Sequence, residues 1–309
     1  MAKFFVKRIV CLLLVVWIVS VLAFVMMRLA PGDAAVMALP DFASEEQIEL
    51  MRVKLGLDKP LITQYFIYLG NILHGDFGTS VLYERPCLDV IMERLPATLS
   101  VTVVCSAMVL LISIPLGIVA GVNKGGPIDF FAVLFALLGQ SMSVVWICVL
   151  LLLFFSVKNN WLPSMGYNGL FDVKFLIMPA VAMGYKMCAG MVRMGRSGMI
   201  DVLGEDYITC AYARGLSKWK VNCKYAFKNS VIPVVTLFGM DVASMLAGAV
   251  IIEQTFTIPG IGSMLVKAVS NRDYPLTQSS LIVTAAMFAV VNLVIDIISA
   301  LLDRRIKLN

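Results

Sequence analysis

Six apolar runs separated by polar islands organise the 309-residue chain. They cover 9–27, 98–122, 130–157, 175–192, 229–252 and 274–302. Lys186 interrupts the fourth, Asp241 the fifth and, late in its course, Asp296 the sixth. At a rise of about 1.5 Å per residue, each run is long enough to cross roughly 30 Å of hydrocarbon. A segment in lipid must satisfy its own backbone polar groups, and no period-two alternation suggests a barrel. The pattern therefore predicts six transmembrane helices in an all-α integral membrane protein. The first run follows Lys3, Lys7 and Arg8. It is longer than the roughly 7–15 residues of a signal-peptide core, so it reads as a retained anchor.

The stretch between the first two runs has its own pattern. Ser44-Glu45-Glu46-Gln47 reads as a capping box opening a short helix that Gly56 would end. A second amphipathic stretch, Leu61–Leu73, follows Pro60. The organisation expected is an N-terminal transmembrane helix over 1–30, an extracytoplasmic insertion over 31–97 and a five-helix core over 98–309. That core carries a cytoplasmic loop at 193–230.

Composition agrees with a membrane solvent. The chain is 60% hydrophobic and 15% charged, with mean hydropathy +0.90, against roughly 45–50% and about 25% for soluble domains. Charge also orients the helices. With the N-terminus inside, segments 1–8, 123–129, 193–228 and 303–309 hold fourteen basic residues, seven of them in 193–228. The short outer loops 158–174 and 257–278 hold two each, and 31–97 carries ten acidic against five basic residues. By the positive-inside rule both termini are cytoplasmic. The net charge of +5 needs no nucleic acid to explain it.

The seven cysteines show no metal-ligand spacing and no disulfide framework. The single histidine, His74, has no neighbouring Cys or His and reads as a loop residue, and the nineteen methionines read as adaptable packing. No cofactor or metal is expected. Pro115 and Pro179 should kink their helices, and Trp161 fits an interfacial anchor. A mid-membrane ion costs at least about 2.5–3.5 kcal/mol. Lys186 and Asp241, both roughly 13–15 Å from the cytoplasmic end by helical rise, therefore either pair or face a solute pathway. Asp296, near the inner surface, would meet water or the basic tail.

Enzyme readings find no support. Gly195-Arg196-Ser197-Gly198 fits the GxSG of an intramembrane serine protease, but its base would have to be His74, on the opposite side. Asp241 and Asp296 lack the flanking motifs of an aspartyl protease. ATP binding through a P-loop is excluded, because no Gly-Lys dipeptide occurs.

The loop 205–233 is the most informative segment. Glu205-Asp206-Tyr207 begins a helix with Ala211 and Ala213, Gly215 breaks it before Leu216, and a basic helix with Trp219 opens near Ser217. Small residues beside a glycine break suit docking into a protein groove. Here the chain resembles the permease subunits of binding-protein-dependent ABC importers of the dipeptide/oligopeptide/nickel branch. Their loop reads Glu-Asp-Tyr, an Ala-rich stretch, Ala-Lys-Gly-Leu and a basic helix ending Arg-Asn-Ala-Leu-Ile-Pro. Thr209-Cys210-Ala211 replaces the family's Glu-Ala-Ala, so a salt bridge through that glutamate is not carried over. The resemblance continues through Pro31-Gly32-Asp33, Leu55-Gly56-Leu57-Asp58-Lys59-Pro60-Leu61, Gly75-Asp76-Phe77-Gly78-Thr79-Ser80 and Arg94-Leu95-Pro96-Ala97-Thr98. Glu253-Gln254-Thr255-Phe256-Thr257-Ile258-Pro259-Gly260-Ile261-Gly262 and Arg272-Asp273-Tyr274-Pro275 complete it. The tail departs, with Arg304 where the family usually has proline.

The resemblance implies a type I ABC importer permease (MetI-like) fold and a non-enzymatic half-pore in the bacterial inner membrane. Its partners would be a second homologous permease, two ATP-binding cassette ATPases, an extracytoplasmic solute-binding protein and the lipid bilayer. Glu205, Asp206, Tyr207, Ala211, Ala213, Gly215, Leu216 and Trp219 would form the ATPase-coupling loop. Glu253, Phe256, Pro259, Gly260, Gly262 and Asp273 would form the loop on the binding-protein side. Dipeptides, oligopeptides, nickel chelates and glutathione all stay open as solutes. A membrane scaffold or exporter subunit is the alternative, with an intramembrane protease behind it.

Overall fold

The computed structural model describes residues 2–29, 36, 44–54, 56–169 and 172–302. Among these, helix is the only extended secondary structure, and Thr79 and Pro86 form one isolated bridge. Pro31-Gly32-Asp33, Leu55 and the tail from Asp303 lie outside the described residues.

The elements follow the apolar pattern. Helix α1 spans Ala2–Leu29. In the insertion, α2 (Glu45–Lys54) and α3 (Leu61–Leu73) come next. The capping box at α2 is reciprocal: the Gln47 amide donates to Ser44 Oγ at 3.3 Å and the Ser44 amide to Gln47 Oε1 at 3.0 Å. Gly56, at φ +65°, ends it with its amide donating to Val53 O. Helix α3 packs on α1 through Ser20–Tyr65 (3.0 Å) and Arg28–Gln64 (2.9 Å).

The remaining helices are α4 (Cys87–Val122), α5 (Pro127–Ser141), α6 (Val144–Leu151), α7 (Val173–Leu203), α8 (Asp206–Ala213), α9 (Lys218–Lys220), α10 (Phe227–Gly248), α11 (Val250–Thr255), α12 (Ile261–Ser270) and α13 (Tyr274–Leu302). Among the described residues, five helices are long and apolar enough to cross a membrane, and a bent pair of helices, counted as one span, brings the number to six.

Two spans differ from the sequence reading. The second begins eleven residues earlier than 98, at Cys87, because Pro86 precedes an amphipathic turn whose Cys87, Val90 and Ile91 are buried. Cys87 is therefore a helix residue, not a loop residue. The third span is not one helix: α5 and α6 meet at 106°. Ser141 Oγ bonds back to Leu137 O at 2.9 Å, and the ladder ends after the Met142 amide bonds Leu138 O, because Met142 and Ser143 are extended. The span continues as a π-helix over Leu152–Lys158. Pro115 and Pro179 do lie inside helices, as do Pro96 and Pro233.

Helix α7 is the axis of the bundle, and α4 is its principal partner. Val101, Cys105 and Val109 of α4 are fully buried against the core with Leu176 and Met191 of α7 and Met245 of α10. Small residues let the backbones approach: a Cβ on Gly121 would lie 2.5 Å from Met199 Cβ, and one on Gly139 would lie 2.4 Å from Ala189 Cβ. Asp296 pairs with Arg8 at 2.8 Å, joining α13 to α1.

Candidate functional site

The end of the bundle bearing most of the basic residues presents a knuckle built from α8, a glycine turn and α9. Glu205 is extended and starts α8. Gly215, at φ +76°, closes it: the Gly215 amide donates to Tyr212 O at 2.9 Å and the Leu216 amide to Ala211 O at 3.4 Å. This is a Schellman turn, whose left-handed position any L side chain would strain.

The knuckle is anchored from inside. Ile208, Ala211, Val221 and Ala226 are buried with Met199, and Leu216 and Phe227 pack against them. Asn229 Nδ2 donates to Tyr207 OH at 2.8 Å, fastening α8 to α10. Of the residues assigned to coupling, Ala211 and Leu216 therefore face the body of the protein. Glu205, Asp206, Tyr207, Ala213, Gly215 and Trp219 are exposed, Trp219 at 77%. A largely exposed indole on a firmly held turn is a ready-made contact point.

Behind the knuckle, Asp129 at the start of α5 receives a bidentate guanidinium from Arg196 of α7. The Gly125 amide donates to the same carboxylate at 2.8 Å. This buried fork locks the 123–126 turn to α7. Sequence reading missed it, although an Asp and an Arg at the ends of neighbouring apolar runs were its signal.

The opposite end is organised by two buried carboxylates. Glu253 of α11 is fully buried, accepting Thr98 Oγ1 at 2.6 Å and the Ser263 amide at 2.8 Å. The Ile261 amide donates to Thr98 Oγ1 at 2.9 Å, so one threonine links α4, α11 and the start of α12. Gly260 must lack a side chain, because a Cβ there would meet the Glu253 carboxylate at 2.1 Å. Burial pushes the Glu253 carboxyl above its ordinary range, against the lowering effect of its hydrogen bonds. Asp273, also fully buried, accepts Ser80 Oγ at 2.5 Å and the Leu82 amide at 3.0 Å, and caps α13 through the Leu276 amide. The 75–80 and 272–275 motifs are thus two halves of one joint.

Glu253, Phe256, Gly260, Gly262 and Asp273 accordingly shape the loop from within and present no side chain at its surface. Pro259 is partly exposed, and Gln254 and Thr257 are the exposed neighbours.

Lys186 is exposed on the middle of α7, whereas Asp241 of α10 is half-buried. Their charges interact, but no direct ion pair closes between them. His74 Nδ1 lies 2.8 Å from Gly70 O at the end of α3.

Known proteins resemble this chain in sequence and in fold. The family model for the binding-protein-dependent transport system inner membrane component matches residues 113–308, and its N-terminal companion matches 1–102. A putative peptide transport system permease protein of Brucella abortus is 35% identical over 99% of both chains. The oligopeptide transport system permease protein AppB of Bacillus subtilis is 34% identical over 99% of this chain and 100% of its own. The glutathione transport system permease protein GsiC of Escherichia coli K12 is 34% identical over 99% of both. In fold, the chain is similar to one from inward-facing structures of the MetNI methionine ABC transporter, with TM-score 0.57 and 14% identity, covering 70% of this chain and 98% of that one. With both family models matched and relatives 34–35% identical over 99% of its length, the chain belongs to the inner-membrane permease components of binding-protein-dependent transport systems.

Proposed function

We propose that this chain forms half of the translocation pathway of an ATP-driven importer for peptides or a related small solute. It couples to an ATPase through the 205–228 knuckle. The observation that carries the reading is the division of that knuckle into a buried inner face and an exposed outer one bearing Tyr207, Ala213 and Trp219. A lever must be rigidly attached on one side and free on the other. The basic residues at this end favour a cytoplasmic position, where ATP is available. The peptide class rests on the names of the relatives, two of which specify peptides or oligopeptides and one glutathione. A second similar permease, two ATPases and a solute-binding protein complete the assembly. The solute-binding protein faces the loop around Gln254, Thr257 and Pro259. ATP-driven closure of the ATPases swings the helices between inward- and outward-open states.

The test is affinity purification of the tagged protein from its native membrane, with mass spectrometry of its partners, repeated for Ala213→Glu. Ala213 is exposed, so the substitution adds bulk and charge without disturbing the core. Recovery of a second permease and P-loop ATPases, with the ATPases lost in the variant, supports the reading. Recovery of the chain alone, or of unrelated partners indifferent to the substitution, defeats it.

A further inference from the structure

The charges of this bundle fall into two kinds. Arg196 is neutralised by Asp129, and Asp296 by Arg8, each pair joining two helices. Lys186 and Arg193 of α7 are not neutralised in this way. Among the described residues, Lys186 has no ion pair, and Arg193 Nη1 donates at 3.0 Å only to the neutral amide oxygen Gln140 Oε1. Both are exposed on a helix whose other middle positions are mostly buried.

Their spacing places them on one face. Positions 186, 190, 193 and 197 of an α-helix fall within an arc of about 40–60°, and 186 and 193 lie about 10 Å apart along the axis. The residues between and beyond are Gly190 and Ser197. Gly190 is partly exposed, and a Cβ there would make only an ordinary contact with Leu237 Cδ2 of α10, at 3.9 Å, so a small side chain fits between the two cations. On the face of α10 that carries Leu237, Ser244 is exposed and Asp241 is half-buried. Asp241 is the acidic group of α10 whose charge reaches Lys186. The face therefore stays net positive. An unpaired cation as deep in a span as Lys186 is costly against lipid, so it has to meet water, cargo or protein, and Arg193 continues its face toward the inner end.

We infer that Lys186, Arg193 and Ser197, with Gln140 beside them, form an anion-attracting face of a water-filled passage, and that the cargo moving along it bears a carboxylate. The inference rests on the importer reading and deepens it. Two cations about 10 Å apart offer a carboxylate successive footholds, each available because neither is already held by a partner carboxylate. The same uncompensated charge repels a cationic solute.

The test uses a Gly190→Cys variant in native membrane vesicles, with exposed Cys11, Cys210 and Cys223 replaced by serine. The thiol is challenged with an anionic sulfonatoethyl thiosulfonate and with its cationic trimethylammonium counterpart. Each rate is divided by that of the same reagent with mercaptoethanol. The expected result is a preference for the anion of about tenfold or more, falling to near unity when Lys186→Gln and Arg193→Gln are added. Resistance to both reagents, with or without ATP, would show the face covered by lipid or a partner helix and overturn the inference. Equal rates, or a preference for the cation, would also overturn it. The ratio in the Gly190→Cys chain decides the matter even if the added substitutions impair folding. Co-purification of the ATPases is scored separately, so loss of the importer reading and loss of this one are told apart.

Discussion

The Thr98 hydroxyl donates to Glu253 Oε1 at 2.6 Å across 155 residues of sequence, and its oxygen accepts the Ile261 amide at 2.9 Å. A single side chain thereby ties the second span to the last loop and to the helix that follows it. Thr98→Val keeps the shape but leaves the Ile261 amide without its acceptor and one carboxyl oxygen without its donor. Each buried group so orphaned costs about 1–3 kcal/mol. A clear fall in the thermal unfolding temperature of the purified protein is expected; an unchanged midpoint would remove Thr98 from this role.

Glu253 makes the same joint sensitive to pH. Its folded pKa lies above the unfolded value because burial disfavours the charged form. The contribution of a protonated Glu253 is therefore fully present below the unfolded carboxyl pKa and is lost as pH rises through the folded one. Compared with Glu253→Gln, which stays neutral, the wild-type protein should gain stability on acidification through the carboxylate range. Parallel melting curves for the two proteins across that range would refute the assignment.

At the other end, Asp129 and Arg196 should behave as a coupled unit. Asp129→Asn and Arg196→Gln are each expected to destabilise by about 1.5–3 kcal/mol, the usual range for hydrogen bonds to charged groups. Because one interaction is lost in either case, a double-mutant cycle should show coupling of at least about 1 kcal/mol. Strict additivity would mean that the fork contributes nothing.

The close approach of α5 to α7 allows a size exchange. Gly139→Ala places a methyl where Ala189 Cβ already lies, within 2.4 Å, and should cost about 1–3 kcal/mol through overpacking. Adding Ala189→Gly removes the clash and should restore much of the loss. A double variant no better than Gly139→Ala alone would locate the strain elsewhere. Detergent melting temperatures suffice to read it.

The outline of the molecule was legible in the chain because lipid leaves so little choice. Every span must be apolar and must bond its own backbone, so the hydropathy runs revealed the bundle, and local chemistry revealed the capping box at Ser44 and the ends of Leu61–Leu73. The glycine break at 215 was equally local, since its left-handed turn depends on one residue. The bend between α5 and α6 was less visible. Ser141 and Ser143 are small polar residues that a hydropathy window averages away, yet the extended backbone at Met142 and Ser143 ends one helix and starts another.

What stayed out of reach depended on partners distant in sequence. Glu253 and Asp273 look like surface carboxylates when each motif is read alone, because a loop motif carries no sign of what lies against it. Only folding brings Thr98 to the first and Ser80 to the second and turns both into buried clamps. Ala211 likewise reads as a docking residue until the packing of Met199 and Val221 turns it inward. The same logic separates Arg196 from Arg193. Three positions apart on one basic helix end, they are equivalent as sequence, but a helix turns about 100° per residue. That rotation points one at Asp129 and leaves the other on an open face beside Gln140. Membrane spans are dictated by the solvent each segment must meet alone, whereas the role of a charge is decided by which neighbour the packed helices bring to it.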